Sequence, residues 1–217
     1  MEKRKIVSAR TQKIVAYLKK TYPNPKSELR YETPVQFLIA VLMSAQCTDK
    51  AVNKCTDVIF KKYKTAADFA EAKPLELEKE ISSITFYKNK ARHIRETGKI
   101  LVEQFGGVVP KTEQELVILR GVAYKTAHVV LGELYGINDG IPTDTHVKRF
   151  ALRFGLTKNT DLKKVSKDLE SLIPQEDWKY VNNGLVLYGR YICKARPHDC
   201  TEHPLTKLWP EAANRWF

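Results

Sequence analysis

The chain has 217 residues, enough for one large or two small domains with a real core, and its 43% hydrophobic content argues against disorder. Lysine and arginine total 37 against 25 acids, a formal charge of +12, which favours a polyanionic partner, nucleic acid before membrane. The longest uninterrupted apolar run, residues 37–43, is too short to span a bilayer. The start Met1-Glu2-Lys3-Arg4-Lys5 precedes no long apolar stretch, so no secretory signal is expected. Four cysteines in a chain this size point to free thiols in a reducing, intracellular setting rather than to a disulfide framework.

Residues 6–22 carry apolar side chains at Ile6, Val7, Ile14, Val15 and Leu18 with lysines between, and the second half reads as an amphipathic helix. Tyr22-Pro23-Asn24-Pro25 breaks it. Thr33-Pro34 then opens a helix, with threonine as N-cap and proline at the first helical position. Residues 35–45 are apolar on nearly every face, which predicts a central buried helix. In the polar stretch Ser44-Ala45-Gln46-Cys47-Thr48-Asp49, Thr48 or Asp49 caps a helix over 50–61, and Gln46 is left without a structural task. Cys47 and Cys55 read as core residues.

Pro74 splits residues 66–82 into two short helical segments. In Phe86-Tyr87-Lys88-Asn89-Lys90, aromatics beside cations on a turn suit stacking on bases and gripping phosphate, or else both aromatics belong to the core. A helix follows over 89–105, with Ala91, Ile94, Ile100 and Leu101 inward, and Gly106-Gly107 ends it.

The next stretch organises the rest: Leu119-Arg120-Gly121-Val122-Ala123-Tyr124-Lys125-Thr126-Ala127. It reads as a hairpin turn between a helix over 112–119 and another over 124–135. Gly121 permits a backbone conformation that a side chain disfavours. The following N–H groups have no partner within the second helix, so the turn aims donors and a positive dipole end at an anion, here a nucleic-acid phosphate. Lys125 is either a solvated surface lysine or a nucleophile. An ordinary lysine, pKa about 10.4, is mostly protonated at neutral pH. A helix N-terminus and partial burial against Leu119, Val122 and Val129 both favour the neutral amine that attacks carbon.

Residues 136–142 form a loop rich in glycine, asparagine and proline, a candidate domain boundary. Thr143-Asp144-Thr145-His146 opens a helix running through Leu152. Asp144 is either its N-cap or a carboxylate that accepts a proton or stabilises a positively charged sugar. His146 either touches phosphate or packs locally. Helices over 161–172 and 179–192 complete an all-α reading without internal repeats. In the tail, Cys193, His198, Cys200 and His203 make a set of two thiols and two imidazoles whose spacing matches no standard zinc finger; a plain thiol pair is the expectation.

Together these stretches resemble a family. The Leu-x-Gly-Val-x-x-Lys-Thr-Ala hairpin and Thr-Asp-Thr-His are similar to the endonuclease III-type helix-hairpin-helix (HhH-GPD) DNA glycosylases. So are the runs 42–49, 86–91 and Tyr188-Gly189-Arg190-Tyr191-Ile192-Cys193. The resemblance covers roughly residues 12–200. It implies an all-α, two-lobed fold, with a six-helix barrel at 24–138 and a second lobe from 1–23 and 139–217. Damaged duplex DNA lies between the lobes with a nucleotide flipped out. It further implies Lys125 as nucleophile and Asp144 as catalytic aspartate, with Gln46 and Phe86 filling the gap left by the flipped base. The hairpin amides around Gly121 and Ala123 hold phosphate. The wider DNA-contact set is Gln46, Phe86, Tyr87, Lys90, Leu119, Arg120, Gly121, Val122, Ala123, His146 and Arg190. The implied activity is removal of an oxidised pyrimidine, followed by β-elimination through a lysine Schiff base, by a monomer with no membrane role. The alternatives are an abasic-site lyase with altered base preference, a non-catalytic hairpin DNA-binding protein, and RNA or membrane binding by charge alone.

Three departures from the family pattern stand out. Arg120 replaces the usual proline and adds a phosphate contact. Ala123 replaces a glycine; if that position needs positive φ, the cost is about 1 kcal/mol. The family's tail holds a [4Fe–4S] cluster on four cysteines, whereas here Cys193 and Cys200 match two and His203 and Trp209 stand at the others. Cys47 and Cys55 belong to the other lobe. The expectation is therefore a variant with neither cluster nor zinc, in which Trp209, Trp216 and Leu208 pack the space.

Overall fold

The computed structural model describes residues 2–216, with side chains from Val7 onward. The end residues Met1 and Phe217, and the side chain of Ile6 that the sequence places inward, lie outside the described residues. Among the described residues all regular structure is helical, and the chain divides into two compact units. One is Ser27–Ile137; the other joins the chain up to Lys26 to the chain from Asn138 onward. No helix among the described residues is long and apolar enough to cross a membrane.

The Ser27–Ile137 unit contains α2 (Pro34–Ser44), α3 (Asp49–Lys62), α4 (Ala66–Glu71), α5 (Pro74–Glu80), α6 (Tyr87–Phe105), α7 (Glu113–Leu116) and α8 (Tyr124–Tyr135). Helix α2 is its axis, buried continuously from Val35 to Met43. Its start is set by a capping box. Thr33 Oγ1 accepts from the Gln36 N–H at 3.2 Å, and Gln36 Oε1 accepts from the Thr33 N–H at 3.3 Å. Gln36 is fully buried, and its amide donates to Phe60 O and Tyr63 O at 3.1 and 3.2 Å, so no polar atom on it goes unused. Thr48 caps α3, and Pro74 separates α4 from α5.

The first helix of the hairpin is shorter than the pattern of residues 112–119 suggests. After α7 the chain tightens through three-residue bonds, Ile118 N–H to Glu115 O and Leu119 N–H to Leu116 O. Only Leu116 and Leu119 turn inward, while Val117 and Ile118 stay exposed. Residues 116–119 are apolar throughout, yet half of them face solvent, so burial does not extend the helix.

The second unit contains α1 (Glu2–Thr21), α9 (Thr145–Arg153), α10 (Leu162–Glu170), α11 (Trp178–Tyr191) and α12 (Pro204–Leu208), with short 3₁₀ turns at Gln175–Asp177 and Pro210–Asn214. Its core gathers Leu18, Val147, Phe150, Phe154, Leu185 and Tyr188 with both C-terminal cysteines. Leu208, expected to fill the tail, is 39% exposed, while Trp209 and Trp216 are half-buried against the core. The largest fully buried side chain is a charged one, Arg153.

Candidate functional site

Gly121 sits at φ +79, a conformation that only glycine adopts without strain, and an added Cβ would lie 2.9 Å from His93 Nδ1. The turn closes with Val122 N–H donating to Leu119 O at 3.2 Å, and Thr97 on α6 donates to Arg120 O at 3.1 Å. His128 on α8 meets Glu113 of α7 at 2.8 Å, which locks the two arms of the hairpin together. Among the described residues the N–H groups of Gly121 and Ala123 carry no hydrogen bond. They stand at the N-terminus of α8, where the first helical N–H groups also lack intrahelical partners.

Ala123 is the N-cap of α8 with φ −110, an ordinary extended conformation. The expected strain at this position is absent, because the positive φ is carried by Gly121 alone in this turn. Arg120 is exposed and lies 3.7 Å from Glu96. Leu119 and Val122 are buried beneath the turn. Lys125 follows in the first turn of α8, half-buried.

A second feature lies at the C-terminus of α2. The Lys90 ammonium, expected at the surface, is buried and donates to Met43 O at 2.8 Å, Ala45 O at 2.6 Å and Cys47 Sγ at 3.2 Å. It occupies the negative end of a helix whose last carbonyls need donors. Burial opposes ionisation of the Cys47 thiol, but hydrogen bonds from Thr85 and Lys90 outweigh it and hold its pKa below the usual thiol value. Gln46, exposed beside this anchor, is forced to φ 55, and exposed Phe86 caps α6 at φ 58. They are the two positive-φ residues other than glycine among the described residues, and Phe86 is 58% exposed. Strain of this kind persists where surrounding structure over-determines it, and it clusters at functional sites. Tyr87 is half-buried, one side packed against the core.

In the other unit, Asp144 is the N-cap of α9; its Oδ1 accepts from the N–H groups of His146 (2.8 Å) and Val147 (3.0 Å). Both bonds fall on one oxygen. His146 is half-buried against Gly189 of α11, where any Cβ would collide with its ring. Arg190 is half-buried next to that glycine.

The tail is built around a residue that motif reading missed. Arg153, 0% exposed, donates Nη1 to Cys193 Sγ and Nη2 to Cys200 Sγ, each at 3.0 Å, and Nη2 also reaches Ala212 O at 2.8 Å. Its guanidinium lies 4.1 Å from the Trp216 ring. The available signal was spacing: Arg149 and Arg153 fall four apart, on the side of α9 that also carries Phe150, in a helix whose residues from Arg149 to Arg153 are all buried. The ligand atoms of Cys193, His198 and His203 lie within 4.8 Å of one another, a group that could hold a metal ion.

Residues 39–175 match the family model described as HhH-GPD superfamily base excision DNA repair protein. The chain is 45% identical over 203 residues to an endonuclease III of Synechocystis, covering 94% of this chain and 93% of that one. It is 40% identical to an endonuclease III of Bacillus subtilis, covering 89% of each. A solved endonuclease III in a trapped covalent intermediate with DNA superposes with a TM-score of 0.87 at 38% identity, covering 94% and 98%. A non-covalent endonuclease III–DNA complex gives 0.89 at 37%, covering 96% and 97%.

These likenesses overturn the expectation of a divergent, cofactor-free tail. The near-complete coverage reaches residues 193–203, and the four cysteines of the chain include Cys193 and Cys200, both buried in this unit. The expectation of no cluster rested on the thiolate count, and that of no zinc on a spacing unlike a standard finger. With two thiols and two imidazoles the segment offers four donors, the number an iron–sulfur group takes, and imidazole is an accepted iron ligand. Three of these donors, Cys193, His198 and His203, converge, so the residues present fit a metal group in chemistry. The chain belongs to the HhH-GPD superfamily of base excision DNA repair proteins, as an endonuclease III-type member.

Proposed function

We propose that the protein is a bifunctional DNA glycosylase and abasic-site lyase that removes oxidised pyrimidines from damaged duplex DNA. The observation that carries this reading is the position of Lys125. It stands in the first turn of α8, directly after a Gly121 turn with unpartnered N–H groups. Those groups bind a backbone phosphate and set the register of the strand, and the formal charge of +12 draws the duplex in. The Lys125 amine forms a bond to the sugar C1′ as the glycosidic bond breaks and the base leaves. Ring opening gives a Schiff base, loss of a C2′ proton follows, and the C3′–O bond breaks on the 3′ side of the lesion. Asp144, with one oxygen committed to the cap, stabilises positive charge on the sugar through the other.

Gln46 and Phe86, both exposed and both at positive φ, fill the space left by the extruded nucleotide. Lys90 contributes from beneath, by fixing the turn at 45–47. Arg120, His146, Tyr87 and Arg190 contact the DNA backbone. A metal group held by the tail donors would cross-link residues 193–203 and so stabilise that unit. The protein acts inside the cell as a monomer.

Borohydride reduction on abasic-site DNA tests the reading. The wild-type chain gives a covalent adduct, and Lys125→Ala gives none while still binding the duplex. Lys125→Ala also lowers strand cleavage by at least about 10³-fold. An adduct that survives the substitution removes Lys125 from the mechanism. Asp144→Asn keeps the cap, since asparagine caps as well as aspartate, yet loses about 10²-fold in base release. Full activity in Asp144→Asn would leave Asp144 as a cap alone.

A further inference from the structure

We infer that His198 and His203 are metal ligands which, with Cys193, form the core of the metal site in the C-terminal tail. The three residues recur at equal intervals in sequence, each five positions from the last. Their ligand atoms converge to within 4.8 Å. Two of the nitrogens are orphans: His198 Nε2 and His203 Nδ1 are buried and have no hydrogen-bond partner. Buried polar atoms are nearly always paired, and two unpaired imidazole nitrogens beside a thiol are explained together by an ion that takes all three lone pairs.

The surroundings are those of a ligand shell. His198 Nδ1 lies 2.7 Å from the Arg196 carbonyl and donates its proton there. That bond fixes the tautomer and leaves the Nε2 lone pair aimed inward, as the outer-shell partner of a metal-bound histidine does. The Trp216 and His198 rings pack at 5.2 Å and the two histidine rings at 5.1 Å, holding both imidazoles in place. The Cys193 sulfur receives a guanidinium hydrogen bond from Arg153, and Cys200 sits on the other arm of the same guanidinium. A buried cation needs compensating negative charge, and no carboxylate bonds to Arg153 among the described residues; a metal-bound thiolate supplies it.

One thiolate and two imidazoles suit a metal that accepts sulfur and nitrogen together. Zinc does so as a single ion, and iron does so within a sulfur-bridged group. The site therefore differs in ligand chemistry from an all-thiolate one, because nitrogen ligands enter through His198 and His203.

The test uses the full-length chain, purified without a histidine tag and without chelators. Zinc, iron and acid-labile sulfide are counted and the visible spectrum recorded, before and after anaerobic reconstitution with zinc alone or with iron and sulfide. The expected result is about one or more metal ions per chain. Zinc without colour identifies a single ion, and iron with sulfide and visible absorption identifies a cluster. In either case His198→Ala and His203→Ala each weaken retention against a chelator by at least about tenfold. Helix content by circular dichroism is recorded alongside. His203→Cys, which restores a ligand, keeps the metal and adds a thiolate-to-metal absorption on cobalt substitution. Failure to take up metal under both reconstitutions overturns the inference. So does undiminished retention in both alanine variants, or loss of metal in His203→Cys.

Discussion

The hairpin turn at 119–123 and the tail at 193–203 solve opposite problems. The turn is a backbone device: one glycine at positive φ, N–H groups without partners, and a helix start immediately after. The tail is a side-chain device: a fully buried arginine, two thiols and two imidazoles brought together from α9 and the segment after α11. In a local device the backbone demand falls on the one position whose dihedral angle is special, here Gly121. Clustered polar devices tolerate almost no change, because each member satisfies another.

That contrast breaks most visibly at Arg153. Arg153→Ala leaves two sulfurs and the Ala212 carbonyl without their donor and opens a cavity, so it is expected to cost on the order of 3 kcal/mol by urea denaturation. A loss below about 0.5 kcal/mol, the range of ordinary surface substitutions, would mean the tail is not a cooperative cluster. In the turn, Gly121→Ala is expected to cost about 1–2 kcal/mol, from φ +79 and the approach to His93, and to weaken binding to undamaged duplex as well. Unchanged stability would show that the turn relaxes freely.

Gln46→Gly sharpens the same contrast from the other side. Removing a non-glycine residue from φ 55 is expected to raise stability by about 0.5–1 kcal/mol while base excision falls. A variant both more stable and fully active would show that the strain serves nothing. The smallest effect belongs to Ala123→Gly. At φ −110 it relieves no strain, and glycine caps a helix slightly better than alanine, so a gain of only a few tenths of a kcal/mol in thermal melting is expected.

Much of the helical order is legible one residue at a time. Thr33-Pro34 announces the start of α2, the Thr48-Asp49 pair the start of α3, and Asp144 the start of α9, because a cap is a contact between near neighbours. The bounds of α8, Tyr124–Tyr135, follow from the turn before it and the glycine after it. The expected helix over 112–119 stops at Leu116, because in the apolar run that follows Val117 and Ile118 face solvent. Lys90 differs too: read as outward by its charge, it is turned inward by the carbonyls at the end of α2.

Composition and local pattern by themselves determined a basic, all-helical chain, the caps that start its helices, and the glycine turn that exposes N–H donors ahead of Lys125. Only the tertiary structure decided that Lys90 anchors a strained turn, that Arg153 is the centre of a core, and that two histidines and a cysteine converge. Dihedral preferences and caps act over four residues, so they are written in the chain. The burial of a charge depends on which carbonyls and sulfurs arrive from 40 or more positions away, as the Lys90–Met43 and Arg153–Cys193 pairs show, and that is settled only when the helices pack.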